Sequence, residues 1–160
     1  MSNAIVGASL TRTLTATTAE QGKGFGLGDR YIDGAGNEYI YVQYGVGGAT
    51  ANYVVSISAA HAAVMATNTV SSFGERVGVA MATAAADSFG WAMIYGATNV
   101  QTDVATVNTR MQTTTTAGQI DDASGTGTKQ INGLTLTTAK TVSAGLAPAI
   151  LTYPTIGATN

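Results

Sequence analysis

The 160-residue chain contains no cysteine, which removes disulfides, thiolate metal sites and cysteine nucleophiles from consideration. Charge is nearly as scarce. Only 10% of residues are Asp, Glu, Lys or Arg, against about 25% in ordinary soluble domains. The formal net charge of −2 argues against a general nucleic-acid or anionic-membrane surface, which needs clustered Lys and Arg. No apolar run approaches the roughly 18 residues of a membrane span. The opening "MSNAIVGASLTRTLTATT" has no basic segment followed by a continuous apolar one, so no signal peptide is expected. A soluble chain made in a cytoplasm is the resulting expectation.

What replaces charge is small and β-branched: 26 Thr, 20 Gly and abundant Ala. An isolated cytosolic domain keeps itself in solution with charge. A Thr- and Ala-rich surface suits a chain packed against partners in an assembly. The length fits one domain with a real core.

Residues 1–23 are polar, Thr-rich and free of helical periodicity. Leu10, Arg12, Leu14 and Ala16 alternate with Thr11, Thr13, Thr15 and Thr17, a period of two with a β-branched face. With no turn or nearby partner run, residues 1–23 read as an extended N-terminal arm, and residues 24–160 as a single β-domain. From Asp29 short strands alternate with glycine punctuation. "DRYI" and "EYIYVQY" flank Asp33-Gly-Ala-Gly-Asn37, a hairpin loop of about five residues. The second strand sets Ile40 and Val42 against Tyr39 and Tyr41. "NYVVSIS" reads as a strand, while "SAAHAAVMAT" (58–67) is open between a short helix and strands.

"ERVGVAMATA" places Val77, Val79 and Met81 opposite Gly78, Ala80 and Ala82. "WAMIYG" places Trp91, Met93 and Tyr95 opposite Ala92 and Ile94. These runs predict consecutive antiparallel strands, whose small-residue face lets another layer approach closely. "NVQT", "RMQTTTTAGQI", "KQINGLTLTTA" and "APAILTYP" are further strands, "GQIDDASGTGTK" is largely loop, and "TIGATN" is expected to fray. Eight to ten short strands predict an all-β barrel or sandwich.

Signatures of chemistry fail at their defining positions. "GKGFGLG" (22–28) suggests a phosphate loop, but the leading glycine of that motif would fall on Thr17, and Lys23 precedes Gly24 instead of Ser or Thr. The dinucleotide pattern fails because Asp29 occupies its third glycine position. A hairpin follows, so no helix N-terminus is there to hold an anion. These glycines read as a hinge between arm and domain. "DGAGNE" (33–38) lacks the ligand spacing of a calcium loop. Asp121 and Asp122, adjacent on extended chain, point opposite ways and read as a solvated loop. His61, the only histidine, has no nucleophile elbow in the sequence to serve. No catalytic residues, cofactor or metal ligands are expected, and the chain does not read as an enzyme.

Three runs resemble one known family. "LGDRYIDGAGNEYIYVQYG" (27–45), "GERVGVAMATAAADSFGWAMIYG" (74–96) and "APAILTYPTIG" (147–157) are similar to the head decoration, or capsid cement, proteins of tailed bacteriophages. In that family a "Leu-Gly … Gly-x-x-Tyr-x-Tyr-Val" hairpin precedes a "Gly-x-Arg-Val-Gly-Val-Ala … Gly-Trp" hairpin. About 50 residues carry the likeness.

The resemblance implies a small β-barrel or tulip-like domain, with a jelly-roll sandwich as the alternative. It implies a homotrimer on the outer capsid surface, bound to the major capsid protein and bracing neighbouring subunits. No nucleic acid, membrane or small-molecule substrate is implied. The arm candidates for capsid contact are Ile5, Val6, Leu10, Arg12 and Leu14, which match the family's arm in character only. Phe25, Leu27, Tyr39, Tyr41, Trp91 and Tyr95 are candidates for the oligomer or capsid interface. The alternative is another virion surface module, such as a head-fibre base, tail protein or glycan-binding sandwich.

Overall fold

The computed structural model describes residues 8–15 and 25–160. Ten strands follow in chain order: β1 (Arg30–Ile32), β2 (Glu38–Tyr44), β3 (Val54–Ile57), β4 (Ala62–Met65) and β5 (Arg76–Ala80). They continue with β6 (Phe89–Thr102), β7 (Met111–Thr113), β8 (Ile120–Asp121), β9 (Lys129–Leu136) and β10 (Gly145–Thr159). The fold is all-β, with no helix among the described residues.

All ten strands belong to one sheet whose hydrogen bonds close on themselves twice. In the first ring β2 pairs with β4, β4 with β3, β3 with β5, β5 with β6, and β6 returns to β2. The second ring runs β6, β8, β7, β9, β10 and back to β6. Pairing around each ring is uneven. Only Thr102 and Ile120 join β6 to β8, so these are hydrogen-bonded rings within one sheet, not a regular barrel. β6 and β10, paired from Gly145↔Thr102 to Thr152↔Tyr95, form a shared wall.

Strand alternation explains two cores. The first ring encloses Ile40, Val42 and Tyr44 from β2, Val55 and Ile57 from β3, Ala63 from β4, Ala80 from β5, and Ala92 and Ile94 from β6. Small residues make this ring narrow. A Cβ at Gly78 would stand 3.1 Å from the Ala92 Cβ, the Ile57 Cδ1 and the Met93 carbonyl oxygen. The opposite faces of the same strands, including Val54, Val77, Val79, Trp91 and Met93, join a larger core. Met111, Ile120, Ile131, Leu136, Leu151 and Ile156 complete it from the second half of the chain.

The β1–β2 and β5–β6 hairpins form as the alternation predicts, with Tyr31↔Tyr39 and Val79↔Met93 in register. Four readings change. The 58–67 run is a tight turn followed by β4, with His61 at φ 61°. "NVQT" is not a separate strand, because β6 runs unbroken through Gly96 to Thr102. "RMQTTTTAGQI" divides into β7 and β8 around a turn. "TIGATN" does not fray: Ile156 pairs with Ile131, Thr159 with Lys129, and the Asn160 N–H donates to the Thr128 carbonyl at 2.9 Å. The sequence signal misleads there because these residues are small and polar, while their partners lie far away in sequence.

Candidate functional site

The candidate site is the seat of the N-terminal arm on β6. Three alternate residues of β6 present their backbone groups to one edge. Met93 pairs with Val79, the Trp91 carbonyl accepts from the Met81 N–H at 3.1 Å, and there β5 turns away. Leu14 takes the next pair. Its N–H donates to the Phe89 carbonyl at 2.9 Å and its carbonyl accepts from the Phe89 N–H at 2.7 Å. The arm thus satisfies backbone groups that β5 leaves open, which an edge strand otherwise exposes. Its period-two pattern does not run straight through. The Arg12 N–H donates to the Ser9 carbonyl at 3.2 Å and closes a turn over Leu10 and Thr11.

Beneath the arm lies an aromatic cluster. Trp91 is 5.1 Å from Tyr41 and 4.8 Å from Phe25, both edge-on, and 6.1 Å from Tyr31. Phe89 stacks on Tyr41 at 6.4 Å. These are separations at which aromatic pairs attract beyond their area alone. Phe25 packs half-buried on this cluster, and Ala8 and Leu10 pack against the large core of which it is part. Tyr39, Tyr41 and Trp91 are buried inside the chain, and of the six interface candidates only Leu27 and Tyr95 are exposed. Arg12 is exposed on the arm, and Ile5, Val6 and Lys23 lie outside the described residues.

Phe25 to Gly28 lead into β1. The Gly28 N–H donates to the Tyr41 carbonyl at 2.9 Å. Gly28 has φ +87°, and a Cβ there would stand 2.6 Å from the His61 imidazole, so this glycine makes room for the ring. His61 touches the Arg76 guanidinium at 3.5 Å. Among the described residues, no nucleophile and orienting acid are hydrogen-bonded around it.

The acidic loops are internally satisfied. Asp33 Oδ1 accepts from the Ala35 and Asn37 N–H groups at 2.9 Å, and Oδ2 from Asn37 Nδ2 at 2.8 Å and the Tyr39 hydroxyl at 3.0 Å. The Asn37 amide leads in holding the Asp33 carboxyl below its ordinary range. Burial, with help from Asp33, pushes the Tyr39 phenol up to about 12. Burial alone raises Tyr44, whose hydroxyl donates to the Trp91 carbonyl at 2.8 Å.

Asp122 Oδ2 accepts from the Thr106 N–H at 2.8 Å and hydroxyl at 2.6 Å, which lowers its pKa. Asp121 is raised, first by burial and then by its acidic neighbours. Among the described residues no group of three or more His, Asp or Glu side chains is arranged to hold a metal ion.

Sequence reasoning passes over a second constellation. Glu38 lies 3.5 Å from Arg30, and its Oε1 accepts from the Tyr153 hydroxyl at 2.7 Å. Tyr153 stacks on Tyr95 at 5.0 Å and sits at φ 50° immediately before Pro154. No local pattern announces it, because its members come from both ends of the domain. No protein-family model matches the chain, and no curated protein matches it significantly.

Proposed function

We propose that the chain is a structural protein of a tailed-phage virion, a decoration protein on the outer face of the head. In this reading it reaches the capsid after synthesis in the host cytoplasm. It acts as an oligomer, expected to be a trimer, and braces neighbouring major capsid subunits without catalysis. One observation carries the reading. The three runs that resemble the family are separated in sequence, yet they assemble as one connected patch of sheet. The β1–β2 hairpin pairs with β6, β6 with β5 and β10, and β5 meets β10 at Arg76↔Thr155. A likeness confined to short glycine-rich runs gains weight when those runs are neighbours in space.

The arm supplies a mechanism. Backbone pairing to a sheet edge gives affinity and alternate side chains give register. Several arms on one oligomer raise effective concentration, so that weak single contacts hold together. The low charge fits a surface that spends its life against other protein.

The test mixes the full-length protein with expanded heads assembled from the major capsid protein of the same phage. Sedimentation and electron microscopy are expected to show added density on the outer surface. Heads that gain no density, or density only inside the shell, overturn the reading.

A further inference from the structure

The arm that offers itself to a partner is engaged by its own domain. Leu14 commits its N–H and its carbonyl to Phe89, at 2.9 and 2.7 Å, and Leu10 packs against the large core. Two of the arm's contact candidates are thereby turned inward. A strand that takes the arm by the Leu14 edge and the Leu10 side chain competes with the domain for the same groups.

The hold on the arm is slight. The Leu14–Phe89 pair is an isolated bridge outside the ten strands. No residue from Ala8 to Thr15 is buried: Ala8, Leu10, Thr13 and Leu14 are half-buried and the others exposed. The turn closed by Arg12 and Ser9 lies within the arm and can move with it. Phe89 is itself half-buried at a sheet edge, where water can replace the lost bonds, so lifting the arm does not strand a buried polar group. Segments with so few buried contacts open locally, far more readily than the sheet unfolds. Phe25, edge-on to Trp91 at 4.8 Å, marks where the chain rejoins the domain. Ten residues separate it from Leu14, and an extended chain of that length spans at most roughly 35 Å. A lifted Leu14 can therefore reach well beyond its seat.

We infer that the arm is a releasable strap, parked on β6 in the free protein and lifted when a partner strand takes Leu10 and Leu14 in place of the domain. The inference rests on the reading of the arm as the capsid-binding element and adds its regulation. Parking keeps the arm's pairing groups from stray sheet edges. In exchange, the apparent affinity of each arm falls in proportion to the fraction of chains whose arm is lifted. Several arms on one oligomer offset that loss.

The first measurement needs no partner. Native-state hydrogen exchange on the full-length chain is expected to show the Leu14 and Phe89 amides exchanging about a hundredfold faster, or more, than the Ala80 amide. Ala80 is buried, and its N–H donates to the Tyr53 carbonyl at 3.0 Å. Equal protection at these positions overturns the strap. The second measurement locks it. The chain has no cysteine, so Leu14→Cys combined with Phe89→Cys introduces a single thiol pair. Residues that exchange both backbone bonds across antiparallel strands stand about 5.5 Å apart, within disulfide range. The oxidised variant is expected to bind expanded heads about tenfold or more weakly than its reduced form. Equal binding by the two forms overturns the inference. Heads that take up neither form nor the parent chain count against the virion reading instead, and the exchange rates of the free chain then decide the strap alone. They decide it likewise if the double variant does not fold.

Discussion

Leu14 and Phe89 exchange both of their backbone hydrogen bonds, at 2.9 and 2.7 Å, on the edge of β6 that β5 abandons at Met81. Replacing Leu14 with proline removes one donor and disfavours the pairing geometry. We expect Leu14→Pro to loosen the arm and shift Trp91 emission to the red, because Leu14 pairs with Phe89, two residues from Trp91, and loss of the pair opens that edge of β6 to water. Leu14→Ala, which keeps the backbone bonds, is expected to give a much smaller shift. Equal spectra for the proline variant and the parent would show that the pair does not hold the arm.

Trp91 and Tyr95 are four residues apart on β6, with opposite fates. Trp91 is 2% exposed and Tyr95 is 39% exposed. Trp91→Ala is expected to cost about 3–5 kcal/mol in urea unfolding, in line with large core truncations. Tyr95→Ala, which loses mainly the stacking on Tyr153, is expected to cost about 0.5–1.5 kcal/mol. Similar losses for the two would contradict the burial difference.

The narrow first ring leaves no room at Gly78. A valine there brings its Cβ within 3.1 Å of Ala92 and Ile57 and adds two methyl groups. Overpacking of this kind costs roughly 1–3 kcal/mol or more. Gly78→Val is expected to lower the urea midpoint clearly, and an unchanged midpoint would mean that the ring is wider than the contacts indicate.

Alkaline pH acts on Tyr39. Its folded pKa of about 12 stands above the ordinary phenol value near 10. The neutral form is therefore favoured by folding. The associated stability is complete below about pH 10 and is lost as pH rises through about 12. Tyr39→Phe is expected to lose less stability over that window than the parent, with Tyr44 contributing to the slope that remains. Thermal melts in steps from pH 9 to 12 measure the difference, and parallel curves would refute it.

How much of this is legible in the sequence depends on where the partner lies. The β1–β2 hairpin is legible because its alternation and its Asp33–Asn37 loop are contiguous. The faces of β5 and β6 are legible for the same reason: Val77, Val79, Trp91 and Met93 contrast with Gly78, Ala80 and Ala92. The passage of β6 through Gly96 is not, since glycine reads as punctuation and only long-range pairing with Leu151 of β10 carries the strand on. The aromatic alternation identifies the residues of the arm seat but not their burial, because the covering Phe25 lies outside those strands. The constellation of Glu38, Arg30, Tyr95 and Tyr153 leaves no local trace.

Because β6 belongs to both rings, the two halves of the domain lack independent outlines for folding. The first ring has all five of its strands once residue 102 is in place, but Trp91 and Met93 turn their faces to a core whose other wall includes Leu151 and Ile156. The early ring therefore shows apolar surface until β10 arrives and slides between its neighbours. Folding of such a chain is governed by its latest and most distant pairings, with the slow, strongly cooperative kinetics of high contact order. A chain cut short before β10 would leave the core faces of Trp91 and Met93 without the Leu151 and Ile156 wall that covers them.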